Sequence, residues 1–202
     1  MRLVIVRHGE TEHNRQQLAL GRADVPLNET GRKQALALAR ALAAEQFAAI
    51  YASPLQRTLH TAQAIAAAHG IEVVADEGLI EMDVGEMDGL TFPVIRERFP
   101  GLLERWVSDE GPEHPMPGGE RLTDVRDRAW DMVTRLSKRH GGETICVVTH
   151  NFVILTLLTQ FIGVELADFR KLRHSVAAIT RVEWRQGRPR IVVLNDTCHL
   201  AE

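Results

Sequence analysis

The chain is 202 residues long, with 45% hydrophobic and 25% charged residues, a balance that suits a globular domain and excludes a disordered or fibrous chain. Its 24 Lys and Arg against 27 Asp and Glu give a formal net charge of -3, which argues against general binding to nucleic acid or to an anionic membrane. That balance leaves room for a small basic pocket that holds an anion.

Strand and helix patterns alternate along the chain, as expected for an α/β layer fold. Leu3 to Val6 is a short continuous apolar run, the pattern of a strand buried on both faces. Asn28 is placed to N-cap a helix rich in Ala and Leu that reaches about Glu45, and Phe47 to Ala52 reads as the next strand. Ser53-Pro54 then suggests an N-cap followed by proline at the first helical position, opening a helix to about His69. A short strand is expected at Ile71 to Ala75. From 89 to 120 the pattern changes: Pro93, Pro100-Gly101, Gly111-Pro112, Pro115 and Pro117 separate short helical pieces carrying Phe99, Leu102, Leu103 and Trp106. This section reads as a cap inserted into a single domain spanning 1–202. A long amphipathic helix from about Thr123 to Arg139 follows, then an apolar strand at Thr144 to Thr149 and a helix beginning near Asn151. Ala178 to Trp184 and Arg190 to Leu194 read as two last strands joined by a hairpin turn at Gln186-Gly187-Arg188-Pro189.

Cys146 and Cys198 have neither metal-pair nor redox spacing, which favours a reducing compartment. The apolar stretch after Met1 is too short for a signal-peptide core, and Phe152 to Ile162 is interrupted by Thr156, Thr159 and Gln160, so a soluble cytoplasmic protein is expected.

The chemistry concentrates at strand ends. Arg7 at the end of a buried strand is costly unless an anion meets it, and ligands of open α/β sheets sit beyond the carboxyl ends of strands. Arg7 and His8 would project there, and His150 ends a second strand in the same way. Two histidines at equivalent strand ends can converge on one crevice. Arg57, in the first turn of a helix that follows another strand, adds a cation where amide N–H groups and the helix dipole already favour an anion.

Five ordered blocks carry a family resemblance. They are Leu3 to Thr11 with Arg7-His8-Gly9-Glu10-Thr11; Asp24-Val25-Pro26-Leu27-Asn28 with Gly31; Ser53-Pro54-Leu55-Gln56-Arg57-Thr58 with Thr61-Ala62; Leu79-Ile80-Glu81-Met82-Asp83 with Gly85 and Gly89; and Val147-Val148-Thr149-His150. In these blocks the chain resembles the histidine phosphatase superfamily, in the branch that includes cofactor-dependent phosphoglycerate mutases. The resemblance implies a three-layer αβα sandwich with a mostly parallel central sheet and a small helical cap. It implies His8 as the nucleophile that forms a phosphohistidine, Glu81 as proton donor and then base, and His150 as a donor to the phosphoryl oxygens. Arg7, Asn14, Gly21, Arg57, His150 and the Asn151 backbone are implied as phosphate-binding groups.

The acidic neighbours Asp76, Glu77, Asp83, Glu86 and Asp88 would either raise the Glu81 pKa by repulsion or simply be solvated. A metal held by His8, His150 and Glu81, or by His13 or His60, is the rival reading of such a cluster. Arg7 and Arg57 would repel a divalent ion there, so the expectation is no metal and no cofactor. His69, His114, His140, His174 and His199 read as surface or loop residues.

The chain departs from many relatives after the second histidine, where it has Asn151-Phe152-Val153-Ile154 in place of small glycines. Phe152 changes either the pocket wall or the packing behind it. The resemblance favours a phosphatase acting on a small phosphate monoester, because the insert lacks the longer basic segment associated with the mutases. A cofactor-dependent phosphoglycerate mutase is the runner-up, and a phosphate-binding protein without catalysis the third reading. Arg96, Arg98 and Arg105 are candidates to meet an acidic substrate; Phe92, Phe99, Trp106 and Met116 are candidates to line an apolar pocket. Sugar phosphates, phosphoserine and α-ribazole phosphate are all compatible substrates, and a homodimer is left open.

Overall fold

The computed structural model describes residues 1–185 and 187–201. Six strands form one sheet in the order β3-β2-β4-β1-β5-β6: β1 Arg2–Arg7, β2 Ala49–Ala52, β3 Val73–Ala75, β4 Thr144–Thr149, β5 Ile179–Arg185 and β6 Arg188–Asp196. Strands β3, β2, β4 and β1 pair in parallel, whereas β5 runs antiparallel to both β1 and β6. The sheet is therefore mixed, with its parallel part at the centre and one edge. Gln186, in the expected hairpin turn, lies outside the described residues.

The helices are α1 Glu12–Arg15, α2 Glu29–Leu42, α3 Gln56–Ala67, α4 Phe92–Arg98, α5 Leu102–Trp106, α6 Leu122–Arg139 and α7 Asn151–Ile162. Alternation along each strand sorts the core into two faces. Leu3, Ile5, Ile145 and Val147 pack with α6 and α7 residues such as Met132 and Leu158. Val4, Val6, Cys146 and Val148 pack instead with Leu38 and Leu42 of α2 and Ile65 of α3. Both faces are covered, which explains why residues 3–6 of β1 and 145–148 of β4 are apolar without a break. Among the described residues no helix is long and apolar enough to cross a membrane.

Several boundaries differ from expectation. The Asn28 cap holds, its Oδ1 accepting from the Gly31 N–H at 2.8 Å, but α2 ends at Leu42 rather than near Glu45. Helix α3 begins at Gln56 with Leu55 as its N-cap residue, so Ser53 and Pro54 stand outside it. The Ser53 hydroxyl meets His150 at 2.8 Å and accepts from the Leu55 N–H at 3.4 Å. The four-residue α1 and the short 3-10 turns, including Glu77–Leu79 and Gly85–Met87, fall in stretches too short to show periodicity. His140 and His174, expected at the surface or in loops, are buried at 7% and 2% exposure. His140 bridges the Tyr51 hydroxyl and Glu143, and His174 Nε2 meets the Thr180 hydroxyl.

Register places the site. In the parallel β1–β4 pair Arg7 lies opposite Thr149, and the His8 N–H continues the ladder to the Thr149 carbonyl at 3.1 Å. Arg7-His8 and Thr149-His150 thus leave adjacent strands at the same end. The N-terminus of α2 closes on the loop that follows. A Cβ on Gly31 would sit 2.0 Å from the Glu10 carbonyl oxygen, and one on Gly9 would sit 2.5 Å from that of Gly31. Gly31→Ala is therefore expected to cost about 1–3 kcal/mol through overpacking despite the better helix propensity of alanine. Chemical denaturation checks this; a variant as stable as the parent would show that the close approach is not a constraint.

Candidate active site

Arg7, His8, Glu81, His150 and Arg57 come together at the carboxyl ends of β1, β2 and β4, as a topological crevice of an α/β sheet requires. The imidazole rings of His8 and His150 lie 5.1 Å apart, centroid to centroid. His8 Nδ1 is 2.7 Å from the Gly9 carbonyl oxygen, which can only accept, so Nδ1 carries the proton and Nε2 keeps its lone pair. Burial lowers the His8 pKa well below its usual range, and the positive charges of Arg57 and Arg7 lower it further. The Gly9 N–H is held by the Thr61 hydroxyl at 3.2 Å, which steadies the loop.

The two guanidiniums are held from behind. Arg7 Nη1 donates to Asn151 Oδ1 at 3.0 Å and also to the His174 carbonyl, while its buried Nε has no protein acceptor among the described residues. The Nε side of the fork is thus free for bidentate contact with an anion. Burial lowers the Arg7 pKa to about 10, a measure of how poorly the unpaired cation is solvated there. Arg57 is fully buried. It donates from Nε to His150 Nδ1 at 3.2 Å, from Nη1 to the Ala23 carbonyl at 2.8 Å and from Nη2 to the Gly21 carbonyl at 2.7 Å. Three of its N–H protons are engaged, and two are left for a ligand.

His150 accepts from Arg57 at Nδ1, so Nε2 carries its proton and meets Ser53 Oγ at 2.8 Å. Its direct contact with a phosphoryl oxygen competes with Ser53. What the geometry shows is His150 linking Arg57 to Ser53, with its pKa held well below the usual range by burial first and then by Arg57. Asn14 uses Oδ1 on the Thr11 N–H and hydroxyl in the α1 capping box, leaving its Nδ2 amide at the pocket. The Asn151 N–H opens α7, where first-turn amides lack intrahelical acceptors.

Gly21 does not take the place expected of it. Its N–H donates to Asp88 Oδ1 at 3.1 Å and its carbonyl holds Arg57, so both backbone groups are used within the protein. Its role is positioning: a Cβ there would come within 2.7 Å of the Val84 side chain.

Glu81 is 3% exposed, and its carboxylate accepts the N–H groups of Met82 at 2.9 Å and Phe152 at 3.2 Å. Its pKa is raised, burial outweighing the opposing pull of those amides, Arg57 and Arg7. The surrounding acids are not the cause. Asp76 caps Gly78, Asp83 caps Gly85, and Asp88 binds the Gly21 and Ala23 amides. Arg128 holds the Glu81 carbonyl at 3.1 Å and Glu120 at 3.2 Å; Glu120 in turn accepts from the Asp83 N–H and from Arg22. Ser53, Thr61, Asp88, Glu120 and Arg128 were not picked out by sequence reasoning as supports, because nothing local in their segments points to these long-range partners.

The Phe152 side chain is a pocket wall, with edge contacts to Trp106 and Phe169 at 5.8 and 6.3 Å between centroids. Phe92, Trp106 and Met116 also line the pocket, whereas Phe99 packs against the core, and Arg96, Arg98 and Arg105 are exposed and do not line it. Among the described residues no three His, Cys, Asp or Glu side chains are placed to hold a metal ion.

The model of the histidine phosphatase superfamily (branch 1) matches residues 3–197, and the chain belongs to that superfamily. It is 35% identical to phosphoserine phosphatase 1 of Hydrogenobacter thermophilus over 202 residues, covering all of this chain and 95% of that protein. Among solved structures it superposes on YhfR of Bacillus stearothermophilus with a TM-score of 0.93 at 33% identity, covering 99% of both chains. A phosphoserine phosphatase variant from Entamoeba histolytica, in complex with phosphoserine, superposes with a TM-score of 0.89 at 30% identity, again covering 99% of both chains.

Two buried neutral histidines make stability depend on pH. Their folded pKa values lie below the unfolded value of about 6.5, so their contribution is present above that pH and is lost as pH falls toward the folded values. Each can cost up to about 1.4 kcal/mol per pH unit within that window. Glu81 acts with the opposite sign, since its raised pKa favours the folded state at low pH and the advantage is lost as pH rises through it. The urea midpoint is expected to fall between pH 7.5 and 5.5, and to fall less in the His8→Gln, His150→Gln double variant. An identical drop in both would show that these histidines are not the cause.

Proposed function

We propose that this protein hydrolyses phosphate monoesters by passing the phosphoryl group first to His8 and then to water. The observation that carries this reading is the unprotonated Nε2 of His8, fixed by the Nδ1 bond to Gly9, in one pocket with Glu81 and the free edge of Arg7. A phosphoryl group transfers mostly by positioning and charge stabilisation, and the two guanidiniums, the Asn14 amide and the Asn151 N–H supply both.

In the first step the P–O ester bond breaks as His8 Nε2 bonds to phosphorus, and protonated Glu81 gives its proton to the leaving oxygen. In the second, ionised Glu81 takes a proton from water, the water oxygen bonds to phosphorus, and the N–P bond breaks. Dividing the reaction this way is what a covalent nucleophile contributes. A carboxyl buried and held protonated above its usual range suits the donor role. Segment 89–120 serves as a cap on a single domain, its α4 and α5 contributing Phe92, Ile95 and Trp106 to the pocket wall. A mutase would need cations for a second phosphate, and the charged side chains lining this pocket are Arg7 and Glu81 among the described residues.

His8→Ala is expected to reduce hydrolysis of p-nitrophenyl phosphate at least about a thousandfold, from the ~10⁶-fold cost of deleting a nucleophile in other enzymes. Rapid quenching in alkali should trap a phosphoenzyme in the parent and none in the variant; near-normal turnover by His8→Ala would sink the covalent route. For an alkyl ester, kcat/KM should fall as pH rises through the elevated Glu81 pKa, because the acid form is lost. Glu81→Gln should remove that limb and slow alkyl esters about 10²–10⁴-fold, with a smaller loss on p-nitrophenyl phosphate. Equal losses on both esters would argue against proton donation.

A further inference from the structure

The pocket has two unlike halves. Its polar lining is His8, Arg7, Glu81, Asn14 and Asn151; the rest of its roughly 270 Å³ is enclosed mainly by apolar side chains such as Ile95, Leu102, Leu103, Trp106 and Phe152. Because Glu81 must reach the ester oxygen to protonate it, the alcohol part of the substrate has to extend from that oxygen into the space beside Glu81, which is the apolar half. A second opening, of about 400 Å³, passes Arg7 and Asn14 toward Arg173, His174 and Ser175. It includes neither His8 nor Glu81, so it is badly placed to hold a group on the leaving alcohol.

We infer that this enzyme selects phosphate esters whose alcohol carries an alkyl or aryl body and no second anion, a substrate class that rests on the phosphatase reading. A carboxylate beside the ester, as in phosphoserine, would be buried against leucine and tryptophan with no cation to meet it. Arg22 is committed to Glu120 and the Glu81 carbonyl, and Arg128 to Glu120 and the carbonyls of Gly78 and Ile80, while Arg173 lies on the second opening, outside this pocket. Burying an unpaired charge is far more costly than losing a methylene contact, so the discrimination is asymmetric. The phenyl edge of Phe152 closes the apolar half against Trp106 and Phe169.

The test is phosphate release from ethyl, butyl and hexyl phosphate, O-phosphoserine and 3-phosphoglycerate. Hexyl phosphate is expected to exceed ethyl phosphate at least about tenfold in kcat/KM, with gains of up to about fourfold per methylene, the equivalent of ~0.8 kcal/mol per buried CH₂. Both anionic esters should fall at or below ethyl phosphate. Trp106→Ala and Leu103→Ala should each lower the hexyl-to-ethyl ratio severalfold; that ratio does not depend on how much of a variant sample is folded. A flat chain-length series, an anionic ester better than hexyl phosphate, or an unchanged ratio in both variants would overturn the inference while leaving the hydrolase standing. Turnover of no ester by the parent would overturn both.

Discussion

Two buried guanidiniums with too few protein acceptors are the constraint on which the rest of this site depends. Arg57 is fully enclosed and Arg7 keeps a buried Nε without a partner, yet no carboxylate forms an ion pair with either among the described residues. The protein meets the desolvation cost with carbonyls instead: Gly21 and Ala23 for Arg57, and His174 together with Asn151 Oδ1 for Arg7. Neutral acceptors fix the cations without cancelling their charge. Burial first, and then the field that remains, keeps His8 and His150 neutral, and that field gives a dianion a reason to enter. Among the described residues Glu81 is the acid that lines the pocket, and its burial is strong enough to raise its pKa against that field.

Much of the supporting structure serves to hold those carbonyls and that carboxylate in place. Asp88 ties the 21–23 loop by two backbone amides, so its carbonyls face Arg57. Glu120 and Arg128 clamp the 78–83 loop from the cap junction, which couples the end of the cap to the position of the acid. The tight backbone approach of Gly119 to Asp83, where a Cβ would lie 2.2 Å from the carbonyl oxygen, belongs to the same clamp. Segment 89–120 therefore touches the pocket in two ways, as a wall through Phe92, Ile95 and Trp106 and as a brace on the Glu81 loop through Glu120.

The convergence of Arg7, His8 and His150 was legible in the sequence because they sit at strand ends, where they break apolar runs abruptly. The layered fold was legible for a related reason: residues 3–6 of β1 and 145–148 of β4 are unbroken apolar runs, and α6 carries a clear polar stripe. What could not be read was everything set by contacts distant in sequence. Ser53 has the local signature of a helix cap, but tertiary structure assigns its hydroxyl to His150, 97 residues away. Gly21 was expected to face phosphate and instead stands behind Arg57. The acidic run around Glu81 left repulsion and solvation both open, and each of Asp76, Asp83 and Asp88 is turned toward backbone amides of its own or a neighbouring loop. His140 continues the buried stripe of α6 four residues after Leu136, whereas His174 lies in a segment with no apolar period; their partners Tyr51 and Thr180 satisfy them once buried.

Everything proposed for the chemistry depends on His8 being a neutral imidazole with its proton on Nδ1. Nitrogen-detected NMR titration of imidazole ¹⁵N shifts, with His8 assigned by comparison with His8→Gln, reads both properties at once. The expected result is an Nδ1–H tautomer that stays neutral well below pH 6.5, under the combined influence of burial, Arg57 and Arg7. A His8 ring protonated on both nitrogens near pH 6.5, or one carrying its proton on Nε2, would contradict it.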